Sequence, residues 1–242
     1  NYAVERFRLN DDPIMYPSID WRRYLLNKTS VQTQHNLNIS GGTKDIRYFI
    51  SLGFLYQNGL LKQFEGVGYD NNYKYKRYNY RANLDFDATK TTTLKIGIGG
   101  IVGNRNEPMI NDATNSIWTL INQTTPFSSP GVIDGKLIVT PEERFDNKIN
   151  LGNSALPKCY GTGYSTAINN TMNLDLLLNQ KLDFITKGLS AEIKGAYNTS
   201  YGFTKKRKGQ VEQFMPFYQS SLEDPSLGYD SPDFNKNIVY KI

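Results

Sequence analysis

The sequence predicts an all-β fold in which about seven antiparallel strands form a segment of a transmembrane β-barrel. Three observations carry this prediction. Apolar and polar residues alternate with period two over stretches longer than a strand of a soluble domain needs. The connections between these stretches are alternately short and long. Aromatic residues, with 17 Tyr and 12 Phe among 242 residues, concentrate near the ends of the predicted strands.

The clearest alternation lies between Tyr75 and Ala88. From Tyr78 onward the even-numbered positions are apolar, whereas the odd-numbered positions are polar or charged. A strand tilted across a bilayer needs about 9 to 11 residues, and this stretch is long enough. The same pattern predicts one barrel domain over residues 1–242, without a plug domain, with strands at 35–40, 46–57, 75–88, 93–103, 166–184, 189–203 and 236–242.

The connections predict which end of each strand faces the cell exterior. Short turns are expected near 41–45, 89–92 and 185–188, and long connections at 58–73, 104–164 and 204–235. Outer-membrane barrels have short periplasmic turns and long extracellular loops. Because an open sheet edge is not tolerated in lipid, we expect the predicted strands to pair with further strands of a longer chain.

Aromatic side chains support the membrane assignment. Tyr78 and Tyr80 lie at one end of the third predicted strand and Phe86 at the other. Amphipathic rings favour the headgroup layer, so barrels carry aromatic girdles at both interfaces. Aromatic packing in a soluble β core is the alternative. The position of the rings at strand ends favours the girdle.

Composition argues against several classes of function. No stretch approaches 18 consecutive apolar residues, so no transmembrane helix is expected. The single histidine, His35, and the single cysteine, Cys159, do not supply a zinc site or a Cys–His catalytic pair. The glycines of 97–103 lie within an alternating strand, where a dinucleotide-binding turn does not form. We therefore expect no cofactor, no metal and no enzymatic activity.

The net charge of +5 permits an anionic partner without requiring one. The basic run at 205–208 has no interleaved aromatic residues, so nucleic acid is not expected as a partner. A solvated loop is the simplest interpretation of this run. Contact with lipopolysaccharide phosphates is the second.

Four stretches resemble the SusC/RagA family of TonB-dependent outer-membrane transporters. They are YPSIDW (16–21), HNLNISGG (35–42), RYFISLGF (47–54) and YKRYNYRANLD (75–85), in matching order and spacing. The resemblance is strong over 16–105 and looser over 160–203. It implies a barrel of about 22 strands in the outer membrane of a Gram-negative cell, with a plug inside. It also implies a SusD-like surface lipoprotein as a lid and a TonB complex, acting through the plug, that drives uptake of glycans or peptides.

Candidate site residues follow from this interpretation. Two carboxylates on the same face as arginines are better explained by a mutually paired lumen wall than by acid–base catalysis. Among loop residues, Trp118 is a candidate for stacking on substrate or contacting the lid, and a role as a local anchor is equally plausible. Tyr69 and Tyr73 are further candidate contacts with substrate or lid. The candidate lumen-lining residues are Arg77, Asn79, Arg81, Asn83, Asp85 and Asp87.

Two short helices are expected outside the strands. Ser116 is the predicted N-cap of a helix over 116–123, and a second helix is predicted over 20–27. The alternative to a barrel is a soluble β-sandwich that binds carbohydrate. In that fold Asn58 and Gly59 would form a two-residue hairpin turn. The substrate itself is not predicted.

Overall fold

The computed structural model describes residues 2–64, 68–109, 116–140 and 155–242. No helix in these ranges is long and apolar enough to cross a membrane. The elements in chain order are α1 (Tyr2–Leu9), α2 (Trp21–Leu25), β1 (Gln32–Gly42), β2 (Ile46–Asn58), β3 (Lys74–Asp87), β4 (Thr92–Pro108), α3 (Ile117–Gln123), β5 (Gly131–Ile133), β6 (Lys136–Ile138), α4 (Ala155–Tyr160), β7 (Gly163–Lys181), β8 (Ser190–Lys208), β9 (Gln213–Tyr218), α5 (Gln219–Glu223) and β10 (Ile238–Lys241).

A six-stranded antiparallel sheet dominates the structure, in the order β1-β2-β3-β4-β7-β8. Every neighbouring pair in this sheet is antiparallel. The connections at 43–45, 88–91 and 182–189 are short and lie at one end, and the long connections lie at the other. The predicted all-β barrel segment, with its lopsided connections, is confirmed. We call the two ends of the sheet the turn end and the loop end.

Several strands continue further toward the loop end than their sequences indicate. β4 reaches Pro108 and β8 reaches Lys208, where alternation predicts ends at 103 and 203. The backbone pairing nonetheless continues to Pro108 opposite Tyr164. Residues 104–108 have no apolar face, so the alternation ends where lipid contact would end. The ladder of backbone hydrogen bonds continues past that point. The basic run 205–208 therefore lies in a strand and not in a loop.

The predicted seventh strand does not extend the main sheet. β10 pairs with β9 in a separate four-stranded sheet, ordered β10-β9-β6-β5. Ile238 packs against a small buried cluster of Met15, Tyr218 and Phe234. Since this cluster belongs to the long connections, β10 is held among them and does not reach the edge of the six-stranded sheet.

The main hydrophobic core lies in the long connections and not on the sheet. The buried cluster contains Trp21, Leu25, Leu61, Ile117, Leu120, Ile121, Leu137, Ala155, Leu156, Cys159 and Tyr160. These side chains come from α2, α3, α4, β6 and the segment after β2. We call the described parts of 15–31, 59–73, 109–162 and 209–242 the loop layer. The long connections thus form a packed layer at the loop end.

Both predicted helices are present and capped. An Asp20 carboxylate oxygen accepts a hydrogen bond from the Arg23 amide at 3.1 Å, and the Ser116 hydroxyl accepts one from the Thr119 amide at 3.3 Å. α2 ends at Leu25 because the next residue, Leu26, forms an antiparallel bridge with Leu61.

The bridge from Leu26 to Leu61 also determines the path after β2. Asn58 ends β2, and the chain beyond Gly59 pairs with residues preceding β1. The two-residue hairpin expected for the sandwich alternative is therefore not formed. A two-residue hairpin turn occurs instead at Asp134 and Gly135, whose φ angles are 49° and 72°.

Candidate functional site

The six residues predicted to line a lumen share one face of β3 because they occupy alternate positions of a regular strand. Register partners extend this face across the sheet. Arg81 lies between Ser51 of β2 and Gly99 of β4, and Asn173 of β7 follows. We call this the polar face. Its larger apolar side chains are Phe49, Leu55, Ile101 and Leu177.

Charged groups on the polar face pair with one another near the turn end. Arg47 Nη1 lies 2.9 Å from Asp87 Oδ2, and the Thr93 hydroxyl donates to Asp87 Oδ1 at 2.8 Å. Both carboxylate oxygens of Asp87 are therefore occupied. This arrangement agrees with a wall of mutually paired polar groups.

Glycines open space beside the larger polar side chains. Gly97 and Gly103 lie on the polar face opposite Asn83 and Arg77. A Cβ atom on Gly103 would lie 3.2 Å from the Tyr75 hydroxyl oxygen. Glycine in a strand interior is expected where another group approaches closely, so these positions allow polar side chains to lie flat on the sheet.

The opposite face, which we call the apolar face, is uncovered. Tyr197 is 58% exposed and Ile193 is 71% exposed. At usual strand spacings, six strands and the nine residues from Tyr78 to Phe86 give a face of roughly 750 Å². Monomeric soluble proteins rarely expose more than about 600 Å² of contiguous apolar surface. Other exposed residues of this face are Leu37, Ile39, Ile46, Tyr48, Ile50, Leu52, Leu84, Leu174, Leu176, Leu178, Tyr201 and Phe203.

Aromatic rings mark both borders of the apolar face. At the loop end, the Phe54 and Tyr78 rings are 5.1 Å apart, and Tyr201 lies in the same cross-strand row. Near the turn end, Tyr48 and Phe86 are exposed on the same face. Two aromatic borders around a mostly aliphatic centre, which also carries Tyr80 and Tyr197, match the girdles of a membrane barrel.

A cleft of about 760 Å³ lies where the polar face meets the loop layer. Tyr73 and Tyr75 supply aromatic walls, and Asn58, Arg105 and Asn169 supply polar groups. Burial, together with nearby Glu107, raises the pKa of the Tyr73 hydroxyl, which therefore remains a neutral hydrogen-bond donor. Lys74 also lines the cleft, whose aromatic walls and several polar groups suit a polar ligand.

The cleft contains residues that the sequence did not single out. Its walls come from β2, β3, β4 and β7, and Asn169 belongs to no motif, whereas Asn58 was interpreted only as a possible turn residue. Their position at the loop ends of strands was the available signal. Only the register of the strands brings them together.

The three predicted loop contacts lie in different surroundings. Trp118 is 47% exposed on the face of α3 opposite the buried Ile117 and Leu120. Tyr73 lines the cleft. The residues of α3 that are buried in the core are Ile117, Leu120 and Ile121, and not Trp118.

Tyr69 has an architectural position instead. Its hydroxyl donates to the Tyr160 carbonyl and accepts from the Gly163 amide at 2.9 Å, and its ring stacks on Tyr164 with centroids 5.7 Å apart. These contacts join the loop layer to the start of β7. A hydroxyl bound on both sides is not free for a ligand.

No family model matches the chain. The chain is 28% identical over 125 residues to the TonB-dependent receptor SusC of Bacteroides thetaiotaomicron, an alignment covering 46% of this chain and 12% of SusC. Two structures of the RagAB peptide importer or transporter, one in the "closed-closed" state, have TM-scores of 0.54 and 0.53 to this chain. These two alignments cover 81% and 85% of this chain and 20% and 23% of the matched chains, each with 14% sequence identity.

The open sheet with one polar and one apolar face has the fold of a transmembrane β-barrel segment. Within that class, the chain is similar to the SusC/RagA type of TonB-dependent transporter. The chain spans less than a quarter of the length of these relatives. The relatives are a receptor and an importer, which agrees with the expectation that the chain is not an enzyme.

Proposed function

We propose that this chain forms part of the barrel wall of a TonB-dependent importer that takes up nutrients, glycans or peptides, across the outer membrane. The observation that carries the proposal is the division of one six-stranded sheet into a polar and an uncovered apolar face. A wall between lipid and an aqueous lumen needs this division. A soluble β-sandwich would instead need a second layer over the apolar face, and its exposed side chains argue against one.

The mechanism is gated passage and not covalent chemistry. Arg77, Asn79 and Arg81, followed by Asn83, Asp85 and Asp87, present donors and acceptors in succession along β3. Such a series exchanges hydrogen bonds with a polar solute at each step, without a deep binding minimum. The cleft beside Tyr73 and Tyr75 lies at the loop end, where substrate would first meet the wall.

Partners are assigned by position. A SusD-like surface lipoprotein would cover the loop end, where Trp118 is exposed on α3. The TonB complex would act through a plug elsewhere in the full-length protein. Outer-membrane lipid, including lipopolysaccharide, would cover the apolar face. Tyr69 would contribute by holding the loop layer in place rather than by touching the substrate.

Spin labels at two adjacent residues test the wall. Asn83 and Leu84 lie on opposite faces of β3, so Asn83→Cys and Leu84→Cys are matched positions in the full-length protein. After reconstitution in vesicles, the label at 84 is expected to collide mainly with oxygen. The label at 83 is expected to collide mainly with a water-soluble nickel complex. Nickel access at 84 equal to that at 83 would overturn the proposal.

The native cysteine does not interfere with this experiment. Cys159 is fully buried, and burial raises the pKa of its thiol to about 12. A protonated thiol reacts slowly with labelling reagents. The unsubstituted protein, with any other reactive cysteines removed, is the blank.

A further inference from the structure

The apolar face ends in basic residues at the loop end. On β3, the first position of this face beyond Tyr78 is Lys76. On β8, the positions beyond Phe203 are Lys205 and Arg207. Lys76 and Lys205 each lie two residues past an aromatic side chain, about 7 Å along a strand, and Arg207 lies two residues further.

The register places the basic side chains of β8 on alternate faces. Arg207 lies opposite Tyr164, donates a hydrogen bond to its hydroxyl, and places its guanidinium carbon 5.6 Å from the ring centroid. Lys205 lies between Phe203 and Arg207 in the alternation of the apolar face. Lys206 and Lys208 take the polar face, with Lys206 opposite Ser165. The run of four cations therefore divides into two pairs.

The apolar face carries charges of only one sign. Over the six strands, all of whose residues are described, its charged positions are Lys74, Lys76, Lys205 and Arg207. Lys74 forms a salt bridge with Asp70. Among the described residues the other three form no salt bridge, and all three are exposed.

The turn end of the apolar face differs from the loop end in its charge. Its last strand positions include Thr92, Gln180 and Ala191, which are uncharged. The lysines at 44, 90 and 187 lie in the turns beyond the strands. Charge continuous with the apolar face is therefore found at the loop end alone.

We propose that Lys76, Lys205 and Arg207 bind the phosphate groups of an anionic glycolipid in the membrane leaflet at the loop end. This inference rests on the proposed function, since it requires lipid against the apolar face. Phe203 and Tyr78 would lie at the headgroup boundary, which places the basic side chains beyond them at the level of lipid phosphates. Arg207 is positioned by the Tyr164 hydroxyl, and a guanidinium pairs with phosphate through two parallel hydrogen bonds.

Two double variants of the full-length protein test the assignment. K205Q/R207Q removes two charges from the apolar face, and K206Q/K208Q removes two charges of the same run from the polar face. The probe is bisphosphorylated lipid A, titrated onto detergent-solubilised protein and counted by native mass spectrometry. At about fivefold for each surface cation, K205Q/R207Q is expected to weaken binding roughly 25-fold. K206Q/K208Q is expected to change it less than twofold.

Enzymatically dephosphorylated lipid A gives the second arm. Its binding to the unsubstituted protein is expected to be weaker than that of lipid A to K205Q/R207Q, because the double variant retains Lys76. Equal losses in both double variants would show attraction by net charge and would overturn the assignment. No loss in K205Q/R207Q would overturn it as well. The spin-label experiment at 83 and 84 does not depend on these cations, so failure of the wall and failure of the lipid site are distinguishable.

Discussion

The ring of Tyr80 covers Gly100 on the neighbouring strand: a Cβ atom on Gly100 would lie 2.6 Å from Cζ of Tyr80. The two residues are direct register partners of β3 and β4 on the apolar face. The same relation occurs at Gly41, where a Cβ atom would lie 2.6 Å from the Tyr48 hydroxyl oxygen. Aromatic side chains laid over glycines fill the space that a missing side chain leaves in a sheet.

This contact predicts that Gly100→Ala destabilises the barrel. The new methyl group meets both the Tyr80 ring and the Thr171 carbonyl oxygen, and overpacking of this kind costs about 1–3 kcal/mol. Gly195→Ala is the matched control, because a Cβ atom at Gly195, also on the apolar face, meets nothing within 4 Å. Urea unfolding of the full-length protein in micelles measures the difference. Equal midpoints for the two variants would contradict the packing of Tyr80 on Gly100.

A charge introduced on β3 is expected to act according to face. Ala82 lies midway between the Tyr78 and Phe86 borders, so Ala82→Arg places a guanidinium in lipid at a cost of about 2–4 kcal/mol near the bilayer midplane. Asn83→Arg places the same group beside the existing polar wall and is expected to cost less than about 1 kcal/mol. The folded fraction recovered in vesicles, read by gel mobility without heating, measures both. Equal recovery of the two variants would show that residue 82 lies in water and would contradict a lipid-facing apolar face.

The two tryptophans are expected to respond oppositely to truncation. Trp21 is 3% exposed, and its indole nitrogen donates to the Thr125 carbonyl at 2.8 Å. Trp21→Ala should therefore destabilise the loop layer by about 3–5 kcal/mol. Trp118→Ala should leave stability within about 0.5 kcal/mol while weakening substrate or lid binding. Limited proteolysis reports the first effect, and uptake by cells carrying the variant reports the second. Rapid proteolysis of Trp118→Ala would show that Trp118 is a structural anchor.

The buried thiol predicts a pH dependence of the loop layer. Burial raises the pKa of Cys159 from 9.0 to about 12 in the folded state. Below pH 9 the thiol is protonated whether the layer is folded or unfolded, so its contribution to stability does not vary. Between pH 9 and 12 only the unfolded state loses the proton, and stability should fall by about 1.4 kcal/mol per pH unit.

The variant Cys159→Ala separates this effect from other titrations. It lacks the thiol, so its stability should decline less steeply than that of the unsubstituted protein between pH 9 and 12. Labelling of Cys159 by a maleimide in the unsubstituted protein provides an independent reading. Fast labelling of the folded protein at pH 8 would contradict the burial.

Local patterns predicted much of the sheet. Alternation around Tyr78 and Asn79 identified the two faces of β3, because side chains of a strand point alternately to opposite sides wherever the strand is placed. The caps at Asp20 and Ser116 were readable for a similar reason, since capping involves residues only three apart.

Other features depended on contacts between distant segments. Tyr69 is a residue type that often contacts ligands. Its hydroxyl instead forms hydrogen bonds with Tyr160 and Gly163, both of which are more than 90 residues from Tyr69 in the chain. The sequence of β10 predicts a further barrel strand. β10 pairs with β9 instead, because Ile238 packs against the buried cluster that contains Tyr218. The continuation of β4 beyond Gly103 could not be predicted from alternation. Its residues from Asn104 onward pair with β7 through backbone hydrogen bonds, which require no apolar side chains.

The sequence by itself thus determined which residues share the apolar face and which share the polar face of each strand, since that property repeats every two residues. Only the tertiary structure decided where the long connections go. Their core from Trp21 to Tyr160 is assembled from five separate segments. So is the cleft, whose walls meet only through the register of four strands. Packing between segments far apart in the chain has no periodicity to read, and it is this packing that forms the loop layer.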